Sequence, residues 1–302
     1  MRRGRITHSS SLGYEVYLES GEVIRAKRRK GRDTRDGLPM IGDLVEIDDS
    51  DQIVRFLPRT SVMERPRVAN IDQVAVTISA KQPDFSSFLL DKYLTAAISS
   101  NIPAFIIVTK WDLLNPQEQA TCRTRLAWYE KLGYRVFTMG RGCEEELPAL
   151  VEKVEGKISA FMGQTGVGKS SLSNEIDPEF KRPVGRFDEQ MGRGMHQTKE
   201  VILIPFAHGF LADTPGFSDF RLTLDQSELA HDFPGFFNLA YACRFRDCLH
   251  RNEPGCAVSE AVANGLICPD SYQNYLKLLS EANAPRGWEK RSSHSSRPGK
   301  EK

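Results

Sequence analysis

Gly163-Gln164-Thr165-Gly166-Val167-Gly168-Lys169-Ser170 sets the architecture of this 302-residue chain. The stretch fits G-x-x-x-x-G-K-[ST], with the apolar run 158–162 before it and a helix-forming segment after it, the strand-loop-helix context the motif requires. Glycines let successive backbone N–H groups turn toward phosphate oxygens, and a helix start adds partial positive charge. Lys169 then reaches β- and γ-phosphates, Ser170 can ligate Mg²⁺, and Ser171 follows as a further nucleotide contact. A chance glycine-rich turn is the plain alternative, and the flanking strand and helix argue against it.

A cradle of this kind does not choose between ATP and GTP. Thr109-Lys110-Trp111-Asp112 follows the apolar run 104–108 and matches the guanine-reading pattern [NT]-K-x-D, with Thr where most GTPases carry Asn. Asp112 would accept from both N1–H and the exocyclic amine of guanine, while the Lys110 stem lies over the base. Adenine has no such pair of donors and would leave a buried carboxylate unpaired, at a cost of about 2 to 4 kcal/mol. A solvated Lys-x-Asp turn is the rival reading of the tetrapeptide alone. Thr138-Met139-Gly140, after another apolar run, is placed to back the base.

Asp213-Thr214-Pro215-Gly216 follows the apolar run 209–212 and fits D-x-x-G. Asp213 would hold Mg²⁺ through water and the Gly216 amide would sense the γ-phosphate. Thr198 lies between cradle and D-x-x-G, where a switch threonine closing on Mg²⁺ belongs. Phe217 occupies the position at which Ras-like enzymes place the glutamine that orients water, so that route is closed. His196 is the nearest substitute, since imidazole can orient or deprotonate water near neutral pH. An ordinary surface histidine is the alternative.

The motif order is itself informative. A conventional G domain runs cradle, switch threonine, D-x-x-G, base reader; here the base reader at 109 precedes the cradle at 163 and D-x-x-G comes last at 213. The domain is therefore circularly permuted, which neighbouring chain ends permit without altering the sheet. Apolar runs at 73–78, 104–108, 136–138, 158–162 and 201–205 alternate with helical stretches near 89–99 and 118–132, as in a parallel α/β sheet. These bound the nucleotide-binding domain at residues 68–221.

Before it, residues 1–67 carry short strand-like runs at 14–18, 44–47 and 53–56 separated by turn residues, which reads as a small β-barrel. The basic stretch 26–35 suits an oligonucleotide-binding barrel (OB-fold) facing RNA, against a merely solvated hairpin. Beyond it, residues 222–284 hold Cys243, Cys248, His250 and Cys256, three thiolates and an imidazole suited to a closed tetrahedral Zn²⁺ site, with helical patterns at 259–265 and 271–282. Cys268 is an alternative fourth ligand. Residues 285–302, rich in Ser, Arg and Lys, are expected to be a disordered basic tail.

Taken together these residues resemble one family, the circularly permuted, ribosome small-subunit-dependent GTPase A. The resemblance spans nearly the whole chain: Gly42-Asp43 and Arg65-Pro66, Ala69-Asn70-Ile71-Asp72-Gln73, the permuted G motifs, and Cys243-Arg244-Phe245-Arg246-Asp247-Cys248-Leu249-His250 with Asn252-Glu253-Pro254-Gly255-Cys256. It implies an OB-fold, a permuted G domain and a mostly helical zinc module, acting late in small-subunit maturation and stimulated by that subunit to hydrolyse GTP. It also implies that Cys243, Cys248, His250 and Cys256 are the zinc ligands, leaving out Cys268. The family's Gly-x-His-Thr-Thr-Thr segment supplies the switch and a histidine proposed to assist hydrolysis; here it reads Gly194-Met195-His196-Gln197-Thr198-Lys199, keeping His196 and the middle threonine.

The expectation is thus a GTPase with His196, Lys169 and Thr198 in catalysis, one structural Zn²⁺, and Mg²⁺ held with GTP by Ser170, Thr198 and Asp213. Its expected partners are GTP, GDP, the small ribosomal subunit and its rRNA. The competing class is an RNA-binding assembly chaperone in which nucleotide is only a structural ligand; a P-loop ATPase is a weaker rival. A net charge of +1 excludes a bulk polycation. No window is apolar enough for a membrane span and the N-terminus lacks an apolar leader, so a soluble, cytoplasmic protein is expected, and a monomer is assumed.

Overall fold

The computed structural model describes residues 1–28, 38–64, 66–180, 201–213 and 222–282. The chain divides into two compact units, Met1–Arg221 and Leu222–Lys302.

The first unit opens with a closed barrel of β1 (Arg2–Ser10), β2 (Gly13–Leu18), β3 (Val23–Arg28), β4 (Leu44–Ile47) and β5 (Gln52–Phe56), in the order β1-β2-β3-β5-β4. Pairing of β1 with β4 closes it, and β3 runs parallel to β5, the five-stranded Greek-key arrangement of an OB-fold. Alternation sends Ile6, Val16, Leu18, Ala26, Val45, Ile47 and Ile53 inward. The basic side chains stay outside, where Arg3 and Arg55 flank Glu46. Of the basic stretch 26–35, residues 26–28 end β3 and the rest lies outside the described residues.

A short hairpin, β6 (Val62–Glu64) and β7 (Arg67–Ala69), leads out of the barrel. Asn70 fixes the exit: its amide nitrogen donates to Gly42 O at 2.9 Å while its Oδ1 accepts from Thr60 N at 2.8 Å. Next to it the fork of Arg59 grips the buried Asp43 carboxylate at 2.6 and 2.8 Å. These are the Gly42-Asp43 and Ala69-Asn70 positions that stood out in the sequence, and their bonds tie the barrel loop at Gly42 and Asp43 to the segment between Arg59 and Asn70 that leaves it.

The sheet contains β8 (Gln73–Ser79), β9 (Ala104–Thr109), β10 (Val136–Thr138), β11 (Ile158–Met162), β12 (Ile202–Phe206) and β13 (Gly209–Asp213), ordered β10-β9-β8-β11-β13-β12. Between them lie α1 (Ser87–Ser99), α2 (Pro116–Lys131), α3 (Leu147–Val154) and α4 (Lys169–Ile176). The strands of the sheet's centre, β8, β9 and β11, bury almost every side chain, as a sheet covered on both faces must. Helix starts are locally encoded: Asn115 and Glu118 form a reciprocal capping box for α2, and Ser86 caps α1.

The sheet departs from expectation in not being wholly parallel, because β12 and β13 are antiparallel, joined by a turn of Ala207 and His208 too short for a crossover. Helix α3, which no expectation covered, packs Leu150 and Val154 into the core. Joining the motifs in cradle-first order, β11, β12, β13, β8, β9, β10, traces a conventional G-domain path through the same sheet, so the permutation alters connectivity alone.

The second unit is helical: α5 (Gln226–Asp232), α6 (Phe237–Ala240), α7 (Ala257–Ala263) and α8 (Pro269–Ala282). Its core centres on Phe233, Phe236 and Tyr275, with ring centroids 4.8 to 5.3 Å apart, and also buries Leu229, Val258, Ile267 and Leu279. Among the described residues no helix is long and apolar enough to cross a membrane. The expected tail at 285–302 lies outside the described residues.

Candidate nucleotide site and metal centre

The parallel strands β8, β9, β10, β11 and β13 all end on one edge of the sheet, the edge at which open α/β sheets bind ligands. There β11 runs into the glycine-rich loop. Gly163 has to be bare, since a Cβ would sit 2.2 Å from the carbonyl oxygen of Thr77 on β8. Helix α4 then begins at Lys169, so its unpaired first-turn amides face the loop. Lys169 Nζ bends over the loop and donates to Gly163 O at 2.6 Å and Gln164 O at 2.9 Å.

The Thr109-Lys110-Trp111-Asp112 tetrapeptide joins this cradle directly. Thr109 ends β9, is 5% exposed, and its hydroxyl donates to Val167 O in the cradle at 2.5 Å. Lys110, in a left-handed conformation, sends its ammonium to Gly166 O at 2.7 Å and to Gln82 O. The neighbouring Lys81 is held at 3.0 Å by Glu118, the same carboxylate that caps α2. Trp111 is buried, with the Arg123 guanidinium 5.0 Å from its ring centroid. Against the expectation of a buried carboxylate, Asp112 is exposed. Gly140 backs the carboxylate so closely that a Cβ there would lie 2.3 Å from Asp112 Oδ1.

Asp213 is the last residue of β13, whose register places Ala212 beside Ala160 of β11. It consequently leaves the sheet next to the cradle, on the side opposite the base reader. Ser170 is the second residue of α4 and Ser171 the third. His196, Thr198 and Gly216 lie outside the described residues.

In the second unit, Cys243, Cys248, His250 and Cys256 place their ligand atoms within 4.8 Å of one another, and Cys268 is not in the group. The Cys243 and Cys256 sulfurs are 4.0 Å apart, and each lies 3.5 Å from His250 Nδ1. A tetrahedral Zn²⁺ with ordinary bond lengths separates two thiolates by about 3.8 Å and a thiolate from an imidazole nitrogen by about 3.6 Å. His250 is 1% exposed and its Nε2 lies 3.1 Å from Ala230 O. That carbonyl can only accept, so Nε2 carries the proton and Nδ1 presents its lone pair to the cluster.

The ligand loop is held from outside as well. Glu253 accepts from the amides of Leu249, Arg251 and Asn252. Burial alone would raise its pKa, but the backbone amides outweigh this and keep it below the ordinary glutamate value. Tyr272 and Tyr275 of α8 donate to the carbonyls of His250 and Leu249 at 2.6 and 2.7 Å. Burial, the first cause in each case, pushes the metal-free Cys248 thiol up to about 12 and lowers His250. A cation bound there has to displace the thiol protons, so metal affinity falls as the pH is lowered.

The sequence singled out the ligands and motifs but not their supports. Gln82, Tyr272, Tyr275 and the Ala230 carbonyl carry no local signature, since each acts through a fold-dependent backbone contact, and Glu253 stands within a motif that gives it no role of its own.

The RsgA GTPase family model matches residues 56–223. The small ribosomal subunit biogenesis GTPase RsgA 2 of Oceanobacillus iheyensis is 38% identical across 93% of this chain and 97% of its own length. The small ribosomal subunit biogenesis GTPase RsgA of Streptococcus agalactiae is 40% identical across 92% and 94%. Among solved structures, YjeQ from Thermotoga maritima superposes with a TM-score of 0.80 at 32% identity, covering 94% of this chain and 99% of that one. YloQ, a circularly permuted GTPase, gives 0.77 at 30% identity over 95% and 97%.

Proposed function

The chain belongs to the RsgA GTPase family, and on that footing we propose that it hydrolyses GTP in late maturation of the small ribosomal subunit, gripping the subunit in one nucleotide state and leaving it in the other. The observation that carries this reading is the meeting of cradle, Thr109-Lys110-Trp111-Asp112 and Asp213 on one sheet edge in permuted order. Its relatives' names supply the ribosomal half.

In this reading Gly163, Gln164, Thr165, Gly166, Val167, Gly168, Lys169, Ser170 and Ser171 hold the phosphates, while Thr109, Lys110, Trp111 and Asp112 read the base. Lys169 stabilises charge spreading onto the γ-phosphoryl oxygens during transfer. Ser170, Asp213 and Thr198 are assigned to Mg²⁺, which, when bound with GTP, neutralises the β- and γ-oxygens. Gly216 senses the γ-phosphate and His196 orients the attacking water in place of the absent glutamine.

The metal of the second unit is assigned as one structural Zn²⁺, because four protein ligands leave no open position for chemistry. Residues 1–67, 68–221 and 222–284 act as RNA-binding barrel, G domain and zinc module. The segment after Asp213 runs straight into the zinc module, so nucleotide state can be transmitted along the chain to an rRNA-facing part. The chain acts as a cytoplasmic monomer. Cosedimentation with small ribosomal subunits tests the cycle: retention with a non-hydrolysable GTP analogue and release with GDP is expected, and equal binding in both states refutes it.

A further inference from the structure

The hydroxyl of Thr109 has one proton, and the structure shows where it goes. Thr109 Oγ1 lies 2.5 Å from Val167 O and 3.4 Å from Ile78 O, and both neighbours are carbonyls that only accept. The side chain is buried against the cradle, so its single donor is committed there.

This matters for how the base is read, and the inference rests on the guanine-reading role given above to Asp112. Guanine carries donors at N1 and N2 on its pyrimidine edge and acceptors at O6 and N7. Base and phosphates are joined through the imidazole half of the purine, so the protein group that touches the cradle is the one that faces that half. Thr109 and Lys110 both touch the cradle, and with the Lys110 stem assigned to the face of the base, Thr109 is left for that edge; Asp112, farther along the chain and backed by Gly140, is assigned to the pyrimidine edge. An asparagine at position 109 would offer two N–H donors, enough for the cradle carbonyl and for N7 together. Threonine has enough only for the cradle.

We propose that Thr109 is a specificity-determining residue that leaves guanine N7 unread: the protein selects its nucleotide through the N1 and N2 donors alone and accepts purines altered at position 7. The threonine keeps the link between base reader and phosphate cradle while giving up one contact to the base. The class of ligand admitted is therefore guanine nucleotides in which N7 is replaced by carbon, in addition to GTP and GDP.

The test is equilibrium binding of GDP, 7-deaza-GDP and inosine diphosphate to the full chain and to its Thr109→Asn and Thr109→Ser variants. The full chain and Thr109→Ser are expected to bind GDP and 7-deaza-GDP within about twofold of one another, whereas Thr109→Asn should favour GDP by about fivefold, the size of one neutral hydrogen bond. Discrimination against 7-deaza-GDP by fivefold or more in the unaltered protein overturns the proposal, because another donor then reads N7. So does a folded Thr109→Asn variant that fails to discriminate, because position 109 then does not face N7. Inosine diphosphate, lacking the exocyclic amine, should bind clearly more weakly than GDP throughout. Equal binding would remove the Asp112 assignment itself, a failure distinct from the loss of the N7 inference alone.

Discussion

Replacing Gly140 by alanine should break guanine selection without touching a phosphate contact. The new Cβ would start 2.3 Å from Asp112 Oδ1 and 3.0 Å from the backbone nitrogens of Asp112 and Trp111. Ordinary contact therefore requires the carboxylate to move by about 1 Å, enough to spoil hydrogen-bond geometry at both guanine donors. Charge-assisted bonds of this type contribute about 1.5 to 3 kcal/mol each, so losing them in part removes about 3 kcal/mol, roughly a hundredfold in affinity. Gly142 in the same loop provides the control, since a Cβ there meets nothing within 4 Å. Gly142→Ala should lose only about 1 kcal/mol of stability, from its left-handed backbone, and keep its affinity. Fluorescent GDP titration, with ATP competition and thermal melting of each variant, reads both effects. If Gly140→Ala melts normally and binds GDP within threefold of the unaltered protein, the placement of Asp112 against Gly140 is not what positions the base reader.

Lys169→Ala should reduce GTP turnover at least a hundredfold, because the ammonium acts on charge that develops during transfer; a single-turnover assay checks this, and full in vivo function of the variant would favour the competing view of nucleotide as a structural ligand. Chelation of the metal, or Cys248→Ser, should unfold the second unit while sparing GDP binding by the first, since a core of three aromatic rings and a few aliphatic side chains such as Leu229, Val258 and Leu279 is small for 61 described residues; circular dichroism and metal analysis of the variant report it. Asn70→Ala should cost about 1 to 3 kcal/mol by stranding Gly42 O and Thr60 N at the barrel exit, visible as a melting temperature lower by a few degrees.

The parts of this fold that could be read from sequence are those with dense local signals. Runs such as Ile158–Met162 and Ala104–Thr109 are mostly apolar and buried along nearly their whole length because both faces of the sheet are covered, and they end in motifs whose residue types admit few uses. Motif order then disclosed the permutation. Strand β1 was harder to see, because Arg2, Arg3, Arg5 and His8 interrupt its pattern; the barrel buries mainly Gly4, Ile6 and Thr7. Helix α3 follows three consecutive glutamates and is only eight residues long, too short for a clear periodic signal. The antiparallel β12 and β13 differ from a parallel pair only in a two-residue turn. At the site, Gly140 and Asp112 come from separate loops, and their contact exists only once β9 and β10 are paired. The commitment of the Thr109 hydroxyl to Val167 is likewise a product of assembly, invisible until cradle and base reader stand side by side.

If the permuted G domain answers to the small ribosomal subunit, GTP hydrolysis by the purified protein, measured with and without small subunits, will show it. Slow turnover alone, strong stimulation by small subunits, and no response to large subunits or use of ATP is the predicted result. Unstimulated GTP turnover would contradict the ribosomal role while leaving the G domain intact, and turnover of ATP at a comparable rate would contradict the guanine site itself.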